Sequence, residues 1–255
     1  MTASPRHTVP AHRRNEILEA VRGGVMHVSE LAESFGVSEM TVRRDLRALA
    51  HQGKLERVRG GAVNASSEPP FEEIAVERFE AKDRIGAVAA ALVEDGQTMM
   101  IDIGTTTLQA ARHLHGRDIT VVTTSLAVYE ELVGDPAIEL LLPGGLVRRN
   151  YRSLVGVIAE DALRKLKADV LFLGTSGVDA ELGVWDSTMI EVPIKRAMIE
   201  AAATVALLAD SEKFAMGGLV WVTDVGSIDH IVTDAPLPAA CREVVDASGV
   251  EVTIA

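Results

Sequence analysis

Residues 37–49 read VSEMTVRRDLRAL, from Val37 to Leu49, and specify one short helix. At about 100° per residue, Val42, Leu46 and Leu49 share one side of that helix, which must face a core. The arginines of the segment point away from it. Ser38 precedes the first turn, where its hydroxyl can accept a hydrogen bond from an orphan backbone N–H. The pattern predicts an amphipathic helix with an arginine-rich outer face.

The flanking segments complete a small module around this helix. A second helix is predicted over 29–35, and Gly36 permits the turn between the two. A third helix is predicted over 14–22, where apolar residues recur at helical spacing. Gly53 ends the arginine-bearing helix, and the alternation over 55–62 favours a two-stranded wing. Helix, turn, helix and wing are typical of a DNA-binding domain.

The polar residues of this module divide into two predicted roles. Thr41, Arg43 and Arg44 are the candidate base readers, because arginine pairs with guanine in the major groove. The candidate phosphate contacts are Ser38, Arg47, Lys54, Arg57 and Arg59. From the residues alone, a protein-binding adaptor with surface arginines stays open as an alternative.

The charge distribution separates this module from the rest of the chain. The 255 residues carry a net charge of -12. Residues 1–67 hold ten Lys and Arg against seven Asp and Glu, whereas the other 188 residues hold fifteen against thirty. The acidic part is repelled by a duplex and must do something other than bind DNA. One cysteine, Cys241, excludes an intramolecular disulfide, and no secretory or membrane-spanning segment is visible, so we expect a cytoplasmic protein.

Two domains follow from this pattern: a DNA-binding domain over 1–63, a linker over 64–70 that contains Pro69-Pro70, and a second domain over 71–255. The second domain opens with a predicted long helix over 71–93. Short apolar segments then alternate with helical ones, which predicts a parallel or mostly parallel sheet covered on both faces. The predicted strands are 98–103, 119–123, 138–142, 168–173, 204–209 and 218–223.

In such sheets, ligands bind beyond the carboxyl ends of the strands. The segment 102–107 reads DIGTTT and leads from a strand into a helix, where backbone N–H groups and hydroxyls suit a phosphate. The alternative is that Thr105 or Thr106 only caps the helix. Glu191 and Lys195 have helical spacing and, on the residues alone, are best explained as a surface ion pair. Lys213 follows a strand and is placed to meet an anion. Four further loops share this small, polar character: 123–125, 143–145, 174–179 and 210–214.

The motifs resemble one family along nearly the whole chain. Residues 37–49 with the ending Arg57-Val58-Arg59-Gly60-Gly61-Ala62 resemble the winged helix-turn-helix of DeoR-family transcriptional regulators. The second domain is similar to the sensor domain of that family. The resemblance implies an α/β fold in which an N-terminal winged helix-turn-helix is joined to a ribose-5-phosphate-isomerase-like sensor domain that also oligomerises.

The resemblance also implies a function and its partners. It predicts a sequence-specific repressor of carbohydrate-metabolism genes that binds operator DNA as a homo-oligomer, dimer or tetramer, and is relieved by a phosphorylated sugar. It implies no catalytic residue, metal or cofactor. Thr124 stands where the family usually has Asn, and Glu212 where Ser or Thr is common. The implied effector-binding residues are Asp102, Gly104, Thr105, Thr106, Thr124, Gly144, Gly145, Gly177, Asp179, Glu191, Lys195 and Lys213.

The alternative function is a sugar-phosphate isomerase-like enzyme with an appended DNA-binding domain. Asp179, Glu191 and Lys195 would then be acid–base groups around an enediolate. The chain has no nucleophile elbow, phosphate-binding P-loop or dinucleotide fingerprint. His113 and His115 are two residues apart, so a helix turns them to different sides and they make a poor metal pair. The expectation is therefore a regulator and not an enzyme.

Overall fold

The computed structural model describes residues 10–21, 26–51, 55–58, 61–64, 70–214 and 216–255. The chain divides into two compact units, Met1–Pro69 and Pro70–Ala255. No helix in these ranges is long and apolar enough to cross a membrane. The predicted linker lies mostly outside the described residues, since 65–69 are not among them.

The first unit packs three helices against a three-stranded antiparallel sheet of order β1-β3-β2. Its core is built from apolar residues of all three helices, including Ile17, Leu31 and Leu46. The predicted helices and wing are confirmed, and β1, which the sequence analysis missed, adds a third strand. The elements are α1 (Pro10–Val21), β1 (Met26–His27), α2 (Val28–Phe35), α3 (Glu39–His51), β2 (Leu55–Val58) and β3 (Gly61–Asn64).

A buried charge cluster ties α1 to α3. Asp45 is fully buried on α3, and its carboxylate accepts hydrogen bonds from Arg13 Nε at 2.7 Å and Arg14 Nε at 3.0 Å. Arg13 is itself buried. Because a buried carboxylate is costly unless it is paired, this contact fixes α3 relative to α1. Gly36, with φ of +62°, makes the tight turn between α2 and α3.

The second unit is built on a seven-stranded sheet of order β15-β14-β12-β9-β4-β5-β6, in which every neighbouring pair is parallel. Its elements are α4 (Phe71–Val76), α5 (Phe79–Ala90), β4 (Thr98–Ile101), α6 (Thr105–Arg112), β5 (Ile119–Thr123), α7 (Leu126–Leu132), β6 (Ile138–Leu141), β7 (Leu146–Arg148), β8 (Ser153–Val155), α8 (Val157–Leu163), β9 (Ala168–Leu173), β10 (Gly177–Val178), β11 (Val184–Asp186), α9 (Val192–Ala201), β12 (Ala202–Leu208), β13 (Val220–Thr223), β14 (His230–Thr233), α10 (Ala239–Ser248) and β15 (Glu251–Ile254).

Apolar residues fill both faces of the sheet, as expected for parallel strands covered by helices. The fold class predicted from the sequence is therefore confirmed. One strand was misplaced: β13 is not in the parallel sheet but pairs antiparallel with β11 in a separate three-stranded sheet. Strands β14 and β15 and helix α10 were not predicted, and the two strands extend the parallel sheet at the edge next to β12.

The predicted single helix over 71–93 is wrong, because the chain breaks between α4 and α5. Arg78 takes a left-handed conformation with φ of +49°. Its guanidinium lies 2.9 Å from Glu212 and 2.5 Å from Asp234, and it also approaches Asp210. These long-range ion pairs hold a backbone conformation that a continuous helix would not allow.

Candidate functional site

The recognition helix α3 begins with the predicted cap. The Ser38 hydroxyl accepts a hydrogen bond from the Thr41 backbone N–H at 3.2 Å, which confirms its capping role. The same hydroxyl lies 2.9 Å from the Thr41 hydroxyl. Both side chains therefore stabilise the start of α3, and both are also candidate DNA contacts.

Arg43, Arg44 and Arg47 are exposed on α3, on the side opposite the core. Arg43 pairs with Glu39 at 3.2 Å, one turn earlier. Arg57 belongs to strand β2, but its side chain is outside the described part of the chain, as are Lys54 and Arg59 entirely. The exposed face of α3 thus carries three arginine cations and Met40. Such a face suits the negatively charged surface of a DNA groove.

The second unit brings a buried ion cluster to the carboxyl end of β4. Lys195 Nζ donates to Asp102 Oδ2 and, at 2.9 Å, to the carbonyl oxygen of Gly174. Asp186 lies 3.5 Å from the same ammonium. Burial alone would lower the pKa of Lys195, but the carboxylates of Asp102 and Asp186 raise it above its usual value. Lys195 is therefore a permanent cation in this site.

Glu191 lies one helical turn before Lys195 and is also buried. Its Oε1 accepts hydrogen bonds from the Ser153 hydroxyl at 2.6 Å and from Arg148 Nη1 at 2.9 Å. Burial raises the pKa of Glu191 to about 7, against the opposing effect of Ser153 and Arg148. The interpretation of Glu191 and Lys195 as a surface ion pair is wrong, because each points inward to a different partner.

Three buried side-chain oxygens of this region have no hydrogen-bond partner among the described residues: Asp102 Oδ1, Glu191 Oε2 and Thr124 Oγ1. They belong to one neighbourhood. The Thr124 carbonyl accepts from the Leu154 N–H at 2.8 Å, directly beside the Ser153 that binds Glu191. Since buried polar groups are nearly always satisfied, these three acceptors are available to a ligand or a bound water that donates hydrogen bonds.

The start of α6 lies directly after Asp102. Gly104 is the N-cap, with φ of +151° and no side chain to cap the helix. Thr107, not Thr105 or Thr106, bonds back to the strand end, donating to the Asp102 carbonyl at 2.8 Å. The helix-cap alternative for Thr105 and Thr106 therefore receives no support. Both are buried, and the first N–H groups of α6 have no partner within the helix, which suits an anion.

The remaining predicted glycines pack closely against backbone. A Cβ on Gly145 would lie 2.9 Å from the Val155 carbonyl oxygen, so this glycine lets the turn before β7 approach β8. At Gly144 the nearest atom would be Ile158 Cγ2, at 3.7 Å. A Cβ on Gly177 would lie 2.7 Å from the Met216 carbonyl oxygen. Gly145 and Gly177 are thus required by packing, whatever else they do.

The Asp179 side chain stabilises the β10–β11 hairpin. Its Oδ1 accepts from the Glu181 and Gly183 N–H groups, and its Oδ2 accepts from Trp185 Nε1 at 2.7 Å. Both carboxylate oxygens are occupied within this turn. The structure therefore does not bring the Asp179 carboxylate into the cluster of Asp102, Glu191 and Lys195.

Lys213 lies in the loop after β12, beside a second charged cluster. Asp210, Glu212 and Asp234 all contact Arg78 there. The negative charge of Glu212, next to Lys213, is partly offset because Glu212 is paired with Arg78 at 2.9 Å. The Lys213 side chain is partly exposed and forms no hydrogen bond or ion pair with the described residues.

Sequence reasoning missed three site residues, namely Arg148, Ser153 and Asp186. Arg148 and Ser153 come from β7 and β8, which form a small antiparallel ribbon outside the predicted strands. Asp186 ends β11. The one available signal was the position of Arg148 shortly after the Pro143-Gly144-Gly145 turn, which does not distinguish a buried arginine from an exposed one.

Within the described ranges, no group of three or more His, Cys, Asp or Glu side chains is arranged to hold a metal ion. His113 lies 2.8 Å from Asp83, whereas His115 contacts Asp135 at 2.9 Å. Each histidine therefore has its own carboxylate partner.

A winged helix and an α/β unit with an unsatisfied buried polar site define a two-part regulatory architecture. Family models match both parts: the DeoR-like helix-turn-helix domain over residues 13–68 and the DeoR C-terminal sensor domain over 77–235. The chain belongs to the DeoR family of transcriptional regulators.

Curated relatives match along almost their whole length. A putative aga operon transcriptional repressor of Escherichia coli O157:H7 is 34% identical over 98% of this chain and 95% of the relative. The HTH-type transcriptional regulator GlpR of Haloferax volcanii is 36% identical, covering 96% of this chain and 97% of that protein. The glycerol-3-phosphate regulon repressor of Escherichia coli K12 is 34% identical, with 91% and 94% covered.

Among solved structures, the chain is similar to ribose 5-phosphate isomerase A from Methanocaldococcus jannaschii, with a TM-score of 0.41 and 16% identity over 54% of this chain and 55% of that one.

Proposed function

We propose that the protein is a cytoplasmic repressor that binds operator DNA as a homo-oligomer and releases it when a phosphorylated sugar binds the α/β unit. The names of the relatives support the repressor function, since two of the three described above are named repressors. One of these is the repressor of a glycerol-3-phosphate regulon. The outward arginines of α3 support the DNA contact.

The observation that carries the effector proposal is the set of three buried, unpaired acceptors at Asp102, Glu191 and Thr124. Hydroxyl groups of a sugar or polyol are the natural donors for such a set, because each carries one O–H. The α6 N-terminus follows Asp102 directly and offers backbone N–H groups and the Thr105 and Thr106 hydroxyls to a phosphate. One ligand with hydroxyls at one end and a phosphate at the other fits both features.

The arrangement favours binding over catalysis. Isomerisation needs a base that exchanges its proton, yet the pKa of Lys195 is raised by Asp102 and Asp186, so it stays charged. Asp179, the third candidate acid–base group, is occupied in its hairpin. Glu191, whose pKa is raised to about 7, can exchange a proton near neutral pH, but neither of the other two candidates is free to act as the second acid–base group. We therefore propose that the protein is not an enzyme.

The test is a thermal-shift titration of the full chain with phosphorylated sugars, the matching free sugars and inorganic phosphate, followed by operator release in a fluorescence-anisotropy assay. A ligand at one hundred times its Kd stabilises the bound unit by about 2.7 kcal/mol. We expect a large shift with one phosphorylated sugar, a small one with its free sugar, and operator release only with the ligand that shifts the melting temperature.

Two variants locate the site. Glu191→Gln keeps the shape of the side chain but changes its hydrogen-bonding and charge, and we expect at least a tenfold weaker response to the sugar phosphate. Glu243→Gln, on the exposed face of α10, is the matched control and should respond as the unmodified chain does. An absence of stabilisation by every phosphorylated sugar at millimolar concentration would refute the sensor proposal, and turnover of ribose 5-phosphate would establish the enzyme alternative.

A further inference from the structure

Strand β7 leaves one of its edges open. It pairs with β8 in the register Leu146↔Val155, Val147↔Leu154 and Arg148↔Ser153, and with none of the other described strands. The ribbon is therefore two-stranded. All three residues of β8 are buried, whereas β7 forms its outer side. An outer strand of this kind presents a row of unpaired backbone N–H and C=O groups to the surface.

The side chains along this edge are apolar and exposed. Leu146 is 68% exposed and Val147 is 50% exposed, although they lie on opposite faces of the strand. Val157 and Ile158, at the start of α8, are also exposed. Ile158 adjoins the turn before β7, because its Cγ2 lies 3.7 Å from the position of a Cβ on Gly144. These four residues, Leu146, Val147, Val157 and Ile158, form what we call the β7 surface.

The segment that contains the β7 surface also lacks the negative charge that is frequent in the rest of the unit. Residues 68–255 hold thirty Asp and Glu against fifteen Lys and Arg, yet residues 140–159 contain no Asp or Glu. The same stretch contains Arg148, Arg149 and Arg152. Two copies of a strongly acidic unit repel each other over most of their surfaces, and this repulsion is weakest here.

We propose that the β7 surface is the interface with a second copy of this chain, in which β7 of one protomer pairs antiparallel with β7 of its partner. A three-residue strand that pairs with itself places the two-fold axis at its middle residue, Val147. The pairing satisfies the open backbone edge of both copies at once and covers the apolar side chains beside it. It is an isologous contact, which closes at two subunits and leaves no free edge.

The interface and the buried polar site then share one strand. Arg148 ends β7 and donates to Glu191 Oε1 at 2.9 Å. A ligand that rearranges the hydrogen bonds of Glu191 acts on Arg148, and so on the strand at the two-fold axis. Ligand occupancy thereby biases the arrangement of the dimer, as coupling between two sites requires.

The first experiment measures the dimer dissociation constant of the full chain by analytical ultracentrifugation, for the unmodified chain, Leu146→Glu and a control, Leu219→Glu. Leu219 is 72% exposed, against 68% for Leu146, but it directly precedes β13, and its N–H donates to the Asp186 carbonyl in a different sheet of the unit. We expect Leu146→Glu to weaken the dimer at least tenfold, because it replaces an apolar side chain of each copy with a carboxylate that the interface would remove from water. The control should leave the constant unchanged.

The second experiment tests the strand register and does not depend on weakening the dimer. The only cysteine, Cys241, is buried, so a cysteine introduced at the surface is the only accessible thiol. Opposite residues of paired antiparallel strands have Cβ atoms about 4.5 to 5.5 Å apart. Val147→Cys should therefore form a covalent dimer with a short bis-maleimide, whereas Val133→Cys, at a position of similar exposure, should not.

Three results would overturn the proposal. The unmodified chain could remain monomeric at the highest concentration at which it stays in solution. Alternatively, Leu219→Glu could dissociate the dimer while Leu146→Glu leaves it intact. A dimer that gives equal cross-linking at Val147→Cys and Val133→Cys would also exclude pairing through β7.

Discussion

The two units each bury a carboxylate beside arginine, but they complete the pairing differently. In the first unit, both oxygens of Asp45 are used, Oδ2 by Arg13 and Oδ1 by Arg14. In the second unit, Glu191 uses only Oε1, for Arg148 and Ser153, while its Oε2 has no partner among the described residues. The first cluster is closed and holds helices together. The second is open and has capacity left for a ligand.

The same contrast separates the arginines of the first unit. Arg13 and Arg14 turn towards Asp45, whereas Arg44 and Arg47 lie on the exposed face of α3. Inward arginines position the recognition helix, and outward ones are free to contact nucleic acid. Burial of the pair marks the structural arginines, because Arg43 also has a partner within the chain, Glu39, but on the exposed face of α3.

The largest expected effect is on the closed cluster. Asp45→Ala removes the partner of a buried arginine, which should destabilise the first unit by about 3 to 5 kcal/mol. Calorimetry should show the transition of this unit at a lower temperature. Both tryptophans of the chain, Trp185 and Trp221, lie in the second unit, so the fluorescence transition should be unchanged. Glu39→Ala breaks only the exposed pair with Arg43 and should cost less than about 1 kcal/mol. Equal effects of the two variants would contradict the distinction.

The open cluster should make the second unit sensitive to pH. Burial raises the folded-state pKa of Glu191 from 4.5 to about 7, so between these values the folded chain holds a proton that the unfolded chain has released. The free energy of unfolding should therefore fall as pH rises through this window, by up to about 1.4 kcal/mol per pH unit.

Urea denaturation followed by tryptophan fluorescence measures this slope, and Glu191→Gln should flatten it. Subtracting the two profiles removes the contribution of every other titrating group. If the slopes are the same, Glu191 does not carry the proton.

The outward arginines should affect operator recognition and not stability. Arg44→Ala should remove about 1 to 3 kcal/mol of discrimination at one operator position, because a bidentate arginine–guanine contact contributes that much. Binding to a set of operators with single base changes measures it. A uniform loss over all sequences would mean that Arg44 contacts only the DNA backbone.

The smallest expected effect belongs to Arg47. As a phosphate contact, its removal in Arg47→Ala should weaken binding to every sequence similarly and lower the salt dependence by about one unit of slope. Anisotropy titrations at several salt concentrations measure this slope. A change in the preferred operator sequence would instead assign Arg47 to base reading.

Local pattern was sufficient for much of the fold. The apolar stripe of Val42, Leu46 and Leu49 predicted α3, and all three residues are buried. The strands 119–123 and 168–173 were predicted with the bounds that the structure has. Failures came where distant contacts override local preference. The predicted helix 71–93 breaks at Arg78, because Arg78 forms ion pairs with three acidic residues that lie far later in the chain. These are Asp210, Glu212 and Asp234.

The site shows the same division. The sequence by itself determined which loops follow the strands, and so that Asp102, Thr105 and Thr124 are available at one edge of a sheet. Only the tertiary structure decided their partners: Asp102 meets Lys195 and Glu191 meets Arg148, across 93 and 43 residues of chain. Periodicity reports which face of an element is buried, but ion pairing depends on distances between elements. Those distances are set by the packing of the whole unit.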